Sequence, residues 1–162
     1  MKISFAVALA LLLTLSYCAN WAVLVAGSDG FYNYRHQADV FHAYQSLIKK
    51  GMNPDNIIVL AYDDIAKDST NPFPGKVFNK PSYANPGVDV YAGVKIDYKG
   101  GSVTPQVFMD VLTGNKAGVT GKGTGRVLES TSADNVFIFF SDHGATGLIA
   151  FPTQYLYAND LI

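Results

Sequence analysis

Beyond residue 18 the chain has no cysteine. Its single thiol, Cys18, closes an apolar N-terminal run, so the body from Trp21 onward can hold no disulfide. The body also lacks an Asn-x-Ser/Thr acceptor for N-glycosylation. After Trp21 no apolar run approaches the ~20 residues that a membrane-spanning helix needs, so no stable membrane anchor is expected. An excess of either charge is lacking too: 12 basic against 13 acidic residues give a net charge of -1. The lysines are scattered rather than striped along one face, which excludes a nucleic-acid footprint.

What is present is apolar. With 162 residues, 49% of them hydrophobic, the chain fits one domain with a sizeable core. It starts with Met1-Lys2-Ile3-Ser4, an apolar stretch from Phe5 to Leu15 and small residues from Ser16 to Ala19. This pattern predicts a secretory signal peptide over residues 1–19, too short to span a bilayer. A lipoprotein signal would make Cys18 a lipid acceptor, but Tyr17 is a poor residue just before it. The body is expected to be soluble, in a lumen or outside the cell.

Trp21 to Gly27 is a continuous apolar run that breaks into Ser28-Asp29-Gly30, which predicts a first buried strand and a turn. From Tyr34 to Lys50, Ala38, Phe41, Tyr44, Leu47 and Ile48 recur at helical spacing, and Gly51 closes the run. Asn56 to Tyr62 predicts a second strand, ending in Asp63-Asp64. Strand, helix and strand make a right-handed βαβ unit, so the class is α/β with a mainly parallel sheet. Residues 68–101 form a long excursion with a short strand expected near Val88 to Tyr91. Thr104 and Pro105 are expected to open a helix that runs through Leu112 and stops at Gly114. Gly121-Lys122-Gly123-Thr124-Gly125 has neither the spacing nor the strand-to-helix context of a phosphate loop, and reads as a flexible surface loop. Val136-Phe137-Ile138-Phe139-Phe140 predicts a third strand, central and covered on both faces, that delivers Ser141-Asp142-His143-Gly144. Leu148 to Pro152 reads as a short extended piece, and a helix begins near Asn159.

Open parallel sheets gather their ligand sites at the carboxyl ends of strands. Three polar loops should therefore converge: Ser28 to His36, Asp63-Asp64, and Ser141 to Gly144. His143 is the candidate general base. Asn33 can orient an imidazole, and Arg35 can grip a polar or anionic group. A histidine with an orienting asparagine belongs to thiol-protease chemistry, and Gly144 would let a backbone N–H reach an oxyanion. The nucleophile is missing, since Ser28 and Ser141 lack the spacing of a nucleophile elbow. A metal site from Asp63, Asp64, Asp142 and His143 is disfavoured, because sequence neighbours seldom ligate one ion. No cofactor is expected.

On these residues the chain resembles the legumains, asparaginyl endopeptidases of the caspase-like clan. The matching runs are 21–28, Tyr32-Asn33-Tyr34-Arg35-His36-Gln37-Ala38-Asp39, Tyr62-Asp63-Asp64-Ile65-Ala66, Asn71-Pro72-Phe73-Pro74-Gly75, Asp97-Tyr98, Val103-Thr104-Pro105 and Ser141-Asp142-His143-Gly144. They cover nearly the whole body in order. The resemblance implies a caspase-like α/β/α sandwich, here ending after the third core strand, and cleavage of protein or peptide substrates after asparagine. It implies His143 as base, Asn33 as orienter and Gly144 at the oxyanion. Arg35, His36 and Asp142 would be the substrate-binding residues, the first two at the specificity pocket and Asp142 as the acidic residue before the base. Asp29 departs from the asparagine that the family commonly has there. The resemblance further implies that residues 20–162 are the N-terminal part of the peptidase domain, with the nucleophilic cysteine beyond Ile162. It also implies a lysosomal or vacuolar destination. The catalytic subunit of the GPI-anchor transamidase shares the Asn-Tyr-Arg-His and Asn-Pro-Phe-Pro-Gly runs and is the closest competitor. A non-catalytic, peptide-binding product is the alternative outside enzymes.

Overall fold

The computed structural model describes residues 18–80 and 87–162. Most of the expected signal peptide therefore lies outside the described residues. Strand β1 (Asn20–Ala26) pairs in parallel with β2 (Ile57–Leu60) on one side and with β3 (Asn135–Ser141) on the other. The register sets Leu24 against Val59 and Phe139. Helix α1 (Tyr34–Lys49) and helix α2 (Pro105–Leu112) cover opposite faces of this sheet.

The alternation along β1 shows why. Ala22, Leu24 and Ala26 join Ile57 and Val59 beneath α1, where Ala38, Val40, Phe41 and Tyr44 fill one core. Val23 and Val25 point the other way, joining Ile58 and Leu60 beneath Val107, Phe108 and Val111 of α2. Side chains on a strand alternate between faces, so a strand that is apolar at every position must be buried on both. The result is an α/β/α layering of the caspase-like kind.

Local chemistry fixes the helix ends. Thr104 Oγ1 accepts from the Val107 N–H at 3.2 Å, and Pro105 occupies the first turn of α2, as the sequence predicts. Gly51 takes φ 86° after α1, a conformation that glycine adopts without strain. The long excursion is organised by buried Asn71, whose side-chain amide donates to the carbonyls of Ile65 and Lys76 at 3.0 Å each. Instead of the strand expected near Val88 to Tyr91 there is a single isolated bridge, Phe78 to Asp89. Residues 121–125 are tied down rather than loose: Thr124 Oγ1 donates to Asp97 Oδ1 at 2.7 Å, beside the Arg126 ion pair at 3.0 Å.

Two features depart from the sequence expectation. β1, not β3, is the central strand, because β1 takes both partners. β3 lies at the edge among the described residues, with Val136, Phe137 and Ile138 exposed by 41%, 47% and 47%. Only its C-terminal half is covered, Phe139 by the α1 core and Phe140 by the α2 core. The second departure follows β3. Strands β4 (Gly144–Ala145), β5 (Leu148–Ala150) and β6 (Tyr155–Tyr157) make a small antiparallel sheet, followed by a short helix α3 (Ala158–Leu161). Elements of two or three residues are too short to show alternation, so only the extended Leu148 segment and the last helix were legible.

An apolar edge strand with unpaired backbone groups is a template for further pairing. The 162-residue chain is therefore expected to self-associate, with weight-average mass rising with concentration in sedimentation equilibrium. A Phe137→Lys variant should shift that rise to higher concentration. A monodisperse monomer throughout would contradict this.

Candidate active site at the carboxyl end of β3

The parallel pairing of β1 and β3 continues one residue past β1 through the Gly27 N–H, which donates to the carbonyl of Ser141, the last residue of β3, at 3.2 Å. Gly27 is where the two strand-end loops touch. A Cβ at that position would lie 2.5 Å from the Ala150 carbonyl oxygen and 2.7 Å from Asp142 Oδ2. Only a residue without a side chain lets these backbones approach so closely.

His143 follows β3 and is exposed, and its Nε2 lies 2.9 Å from Asn33 Oδ1. Asn33 sits at the N-cap of α1, a favoured capping residue, yet its side chain makes no cap hydrogen bond. Its amide nitrogen donates instead to the Asp29 carbonyl at 2.9 Å, which leaves the oxygen to the imidazole. A carbonyl oxygen accepts only, so it favours the tautomer that carries a proton on Nε2 and leaves the other nitrogen basic.

His36, in the first turn of α1, is buried and packs edge to face on His143 with ring centroids 4.9 Å apart. Its Nδ1 lies 2.7 Å from Ser28 Oγ and 3.1 Å from Asp142 Oδ1. Burial lowers the His36 pKa below 6.5, and the Arg35 and His143 charges add to this, against Asp142 and Asp39. Burial raises the Asp142 pKa above 3.8, against the His143 N–H and the nearby imidazoles. Asn33, His36, Asp142 and His143 therefore meet at one point. Arg35 and Gly144 stand at its rim. The Arg35 guanidinium is exposed and makes one long contact, 3.5 Å to the Tyr32 carbonyl. Gly144 opens β4 and is exposed.

Neither nearby serine serves His143. Ser28 is engaged with His36, and Ser141 Oγ donates to Asp39 Oδ2 at 3.2 Å. Cys18 is at the wrong end: Asn135 Nδ2, at the start of β3, approaches its sulfur at 3.4 Å. The seven residues of β3 put about 20 Å between that end and His143.

Asp63 and Asp64 stand apart from this cluster and support it. Asp64 accepts from the Gly30 N–H at 2.7 Å and from Gln37 Nε2 at 2.6 Å, which fixes the turn that carries Asn33. Asp63 holds a left-handed φ of 66° and accepts from Tyr91 and from Lys99, both at 2.7 Å. Burial pushes its carboxyl up, but Lys99, Tyr91 and Lys67 together hold it below the usual range, and the Tyr91 phenol rises to about 12. Gly27, Gln37 and Asp64 all fall within the matching runs, but sequence reasoning missed these roles, since the partners that define them are distant in the chain.

A helix-flanked parallel sheet with an imidazole, its amide partner and a glycine turn gathered at one strand end is the framework of a caspase-like peptidase domain. Comparison with known proteins sharpens this. The model of the peptidase C13 family matches residues 20–162. Legumain of Rattus norvegicus is 52% identical over 142 residues, which are 88% of this chain and 32% of the relative. Hemoglobinase of Schistosoma japonicum is 54% identical over 143 residues, 88% of this chain and 32% of the relative. The vacuolar-processing enzyme delta-isozyme of Arabidopsis thaliana is 58% identical over 134 residues, 83% of this chain and 28% of the relative. The chain belongs to the peptidase C13 family. It spans about a third of the length of the curated relatives it matches.

Three outcomes follow from the site. Because the folded state resists charging His36, stability should fall as pH drops below 6.5, and a His36→Gln variant should flatten that part of the melting-temperature profile. Asp142 has the opposite sign: its folded pKa is raised, so ionisation opposes the fold at neutral pH. Asp142→Asn should melt higher than the parent at pH 7, and the gap should close as pH falls toward 3.8. Gly27→Ala should cost about 1–3 kcal/mol in urea unfolding, because the new methyl overlaps backbone.

Proposed function

We propose that this chain supplies the base, the orienting group and the substrate grip of a legumain-like cysteine endopeptidase that cleaves after asparagine. The observation that carries the reading is the His143–Asn33 pair at 2.9 Å, at the carboxyl end of a strand in a C13-family sheet. In this reading His143 takes a proton from a thiol, raising its nucleophilic thiolate fraction, and then returns a proton to the leaving amine. Asn33 holds the imidazole in register. The Gly144 region offers a backbone N–H to the oxyanion, where a positioned donor is worth most. Arg35, exposed beside His36, directs its guanidinium to the side-chain amide oxygen of the substrate asparagine.

The thiol is the part these residues do not supply, since Cys18 is the chain's one cysteine and stands at the opposite end of β3. We place it on chain beyond Ile162, so that residues 20–162 are the N-terminal part of the peptidase domain and are inactive alone. The apolar N-terminal sequence, which we read as a leader over residues 1–19, and the names of the relatives support a secretory route to a lysosome or vacuole. Among the described residues no helix is long and apolar enough to cross a membrane.

The test is an assay on a peptide with a single asparagine. The 162-residue chain should not cleave it, whereas a form extended through the next strand and its cysteine should cleave after asparagine. In that extended form His143→Ala should lower kcat by about 10²–10⁴-fold. Cleavage by the 162-residue chain itself, abolished by His143→Ala, would overturn the placement of the thiol.

A further inference from the structure

Three metal-ligating side chains meet at the end of β3. One ligand atom from each of His36, Asp142 and His143 lies within 4.8 Å of the other two. Asp142 is the informative member. Its side chain is 1% exposed, and among the described residues its Oδ1 has no hydrogen-bond donor although His36 Nδ1 stands at 3.1 Å. That nitrogen is engaged by Ser28 Oγ at 2.7 Å, so Oδ1 has an ion-pair neighbour without a directed bond, although the His143 backbone N–H and the Ser28 hydroxyl support the carboxylate as a whole. A buried carboxylate oxygen left in this way is costly, and a cation is the partner that removes the cost.

The donor set selects the cation. Two imidazoles and one carboxylate suit zinc, whereas calcium and magnesium require shells built from oxygen. With zinc bonds of about 2.0–2.2 Å, tetrahedral ligand atoms lie about 3.4 Å apart. The His36 to Asp142 separation of 3.1 Å is already near that spacing. The remaining ligand, His143, is exposed, and one of its ring nitrogens already lies within 4.8 Å of the other two ligand atoms. A ligating imidazole is commonly fixed by a carbonyl on its other nitrogen, which is what Asn33 Oδ1 offers His143 Nε2 at 2.9 Å. Burial keeps His36 in the neutral form that ligation needs.

We propose that His36, Asp142 and His143 form a three-ligand zinc site that, when filled, occupies the His143 imidazole. Its catalytic consequence rests on the reading of His143 as general base: a nitrogen bonded to zinc accepts no proton, so zinc would hold the site inactive.

The test uses the 162-residue chain carrying Cys18→Ser, which removes the exposed thiol as a competing ligand. Cobalt(II) should bind at one equivalent with the visible absorption of a four- or five-coordinate N/O site, and zinc should displace it. Diethyl pyrocarbonate should modify His143 in the free chain and not in the zinc-loaded one. His143→Ala, at an exposed position, and the near-isosteric Asp142→Asn should each weaken cobalt binding by at least about tenfold. Circular dichroism confirms that both variants are folded. Unchanged affinity in folded His143→Ala, or equal competition by magnesium or calcium, would overturn the proposal. Because no substrate is involved, failure of the asparagine-peptide assay would leave these readouts standing. Loss of cobalt binding would likewise leave the peptidase reading standing.

Discussion

The contact on which the site depends is the approach of Gly27 to the chain that follows β3. It joins the Ser141 carbonyl, the Ala150 carbonyl and the Asp142 carboxylate around one Cα that has no side chain. Were the two loops held apart by even a methyl group, Asp142 would move away from His36 and His143 from Asn33. The central position of β1 makes the approach rigid, since β1 is paired on both edges and buried on both faces.

Asn33 shows what the site asks of local structure. At a helix N-cap its side chain would ordinarily satisfy an orphan backbone N–H, a contribution of about 1 kcal/mol. Here the cap bond is absent, and the amide bridges the Asp29 carbonyl and the His143 ring. The capping bond is given up for the contact with the imidazole, and the turn is secured nearby: Asp64 holds Gly30 and Gln37, so the turn that presents Asn33 is fixed from outside the helix. Asp63 belongs to the same support, its left-handed backbone kept in place by Tyr91 and Lys99.

Much of this was legible in the residues. The apolar runs of β1 and β2, the period of α1 and the Thr104-Pro105 start of α2 each state their structure locally, and the structure agrees. Asn33, His36, Asp142 and His143 were assignable through motif resemblance, and the fold brings them together. Other features were not legible because they are settled by tertiary pairing. Whether β1 or β3 is central cannot be read from two equally apolar runs, and β4 and β6 are too short to carry a period. Gly27 looked like the end of a strand, and nothing in its neighbours announces that Ala150 will lie against it. The loop at 121–125 looked free because its anchor, Asp97, is distant in sequence.

The order of pairing within the sheet bears on how the site comes into being. β1 meets β2 across a separation of 35 residues, as the pairing of Ala22 with Ile57 shows, whereas Asn33 and His143 are 110 residues apart. Closing the longer loop costs about 1 kcal/mol more in chain entropy, and the intervening excursion must already be folded out of the way. The β1–α1–β2 unit is thus the part whose closure costs least chain entropy, although its second face is covered only when α2 packs on it. The histidine arrives with β3, the last strand of the parallel sheet in chain order, so a chain in which β3 fails to dock keeps Asn33 in place with no imidazole to hold.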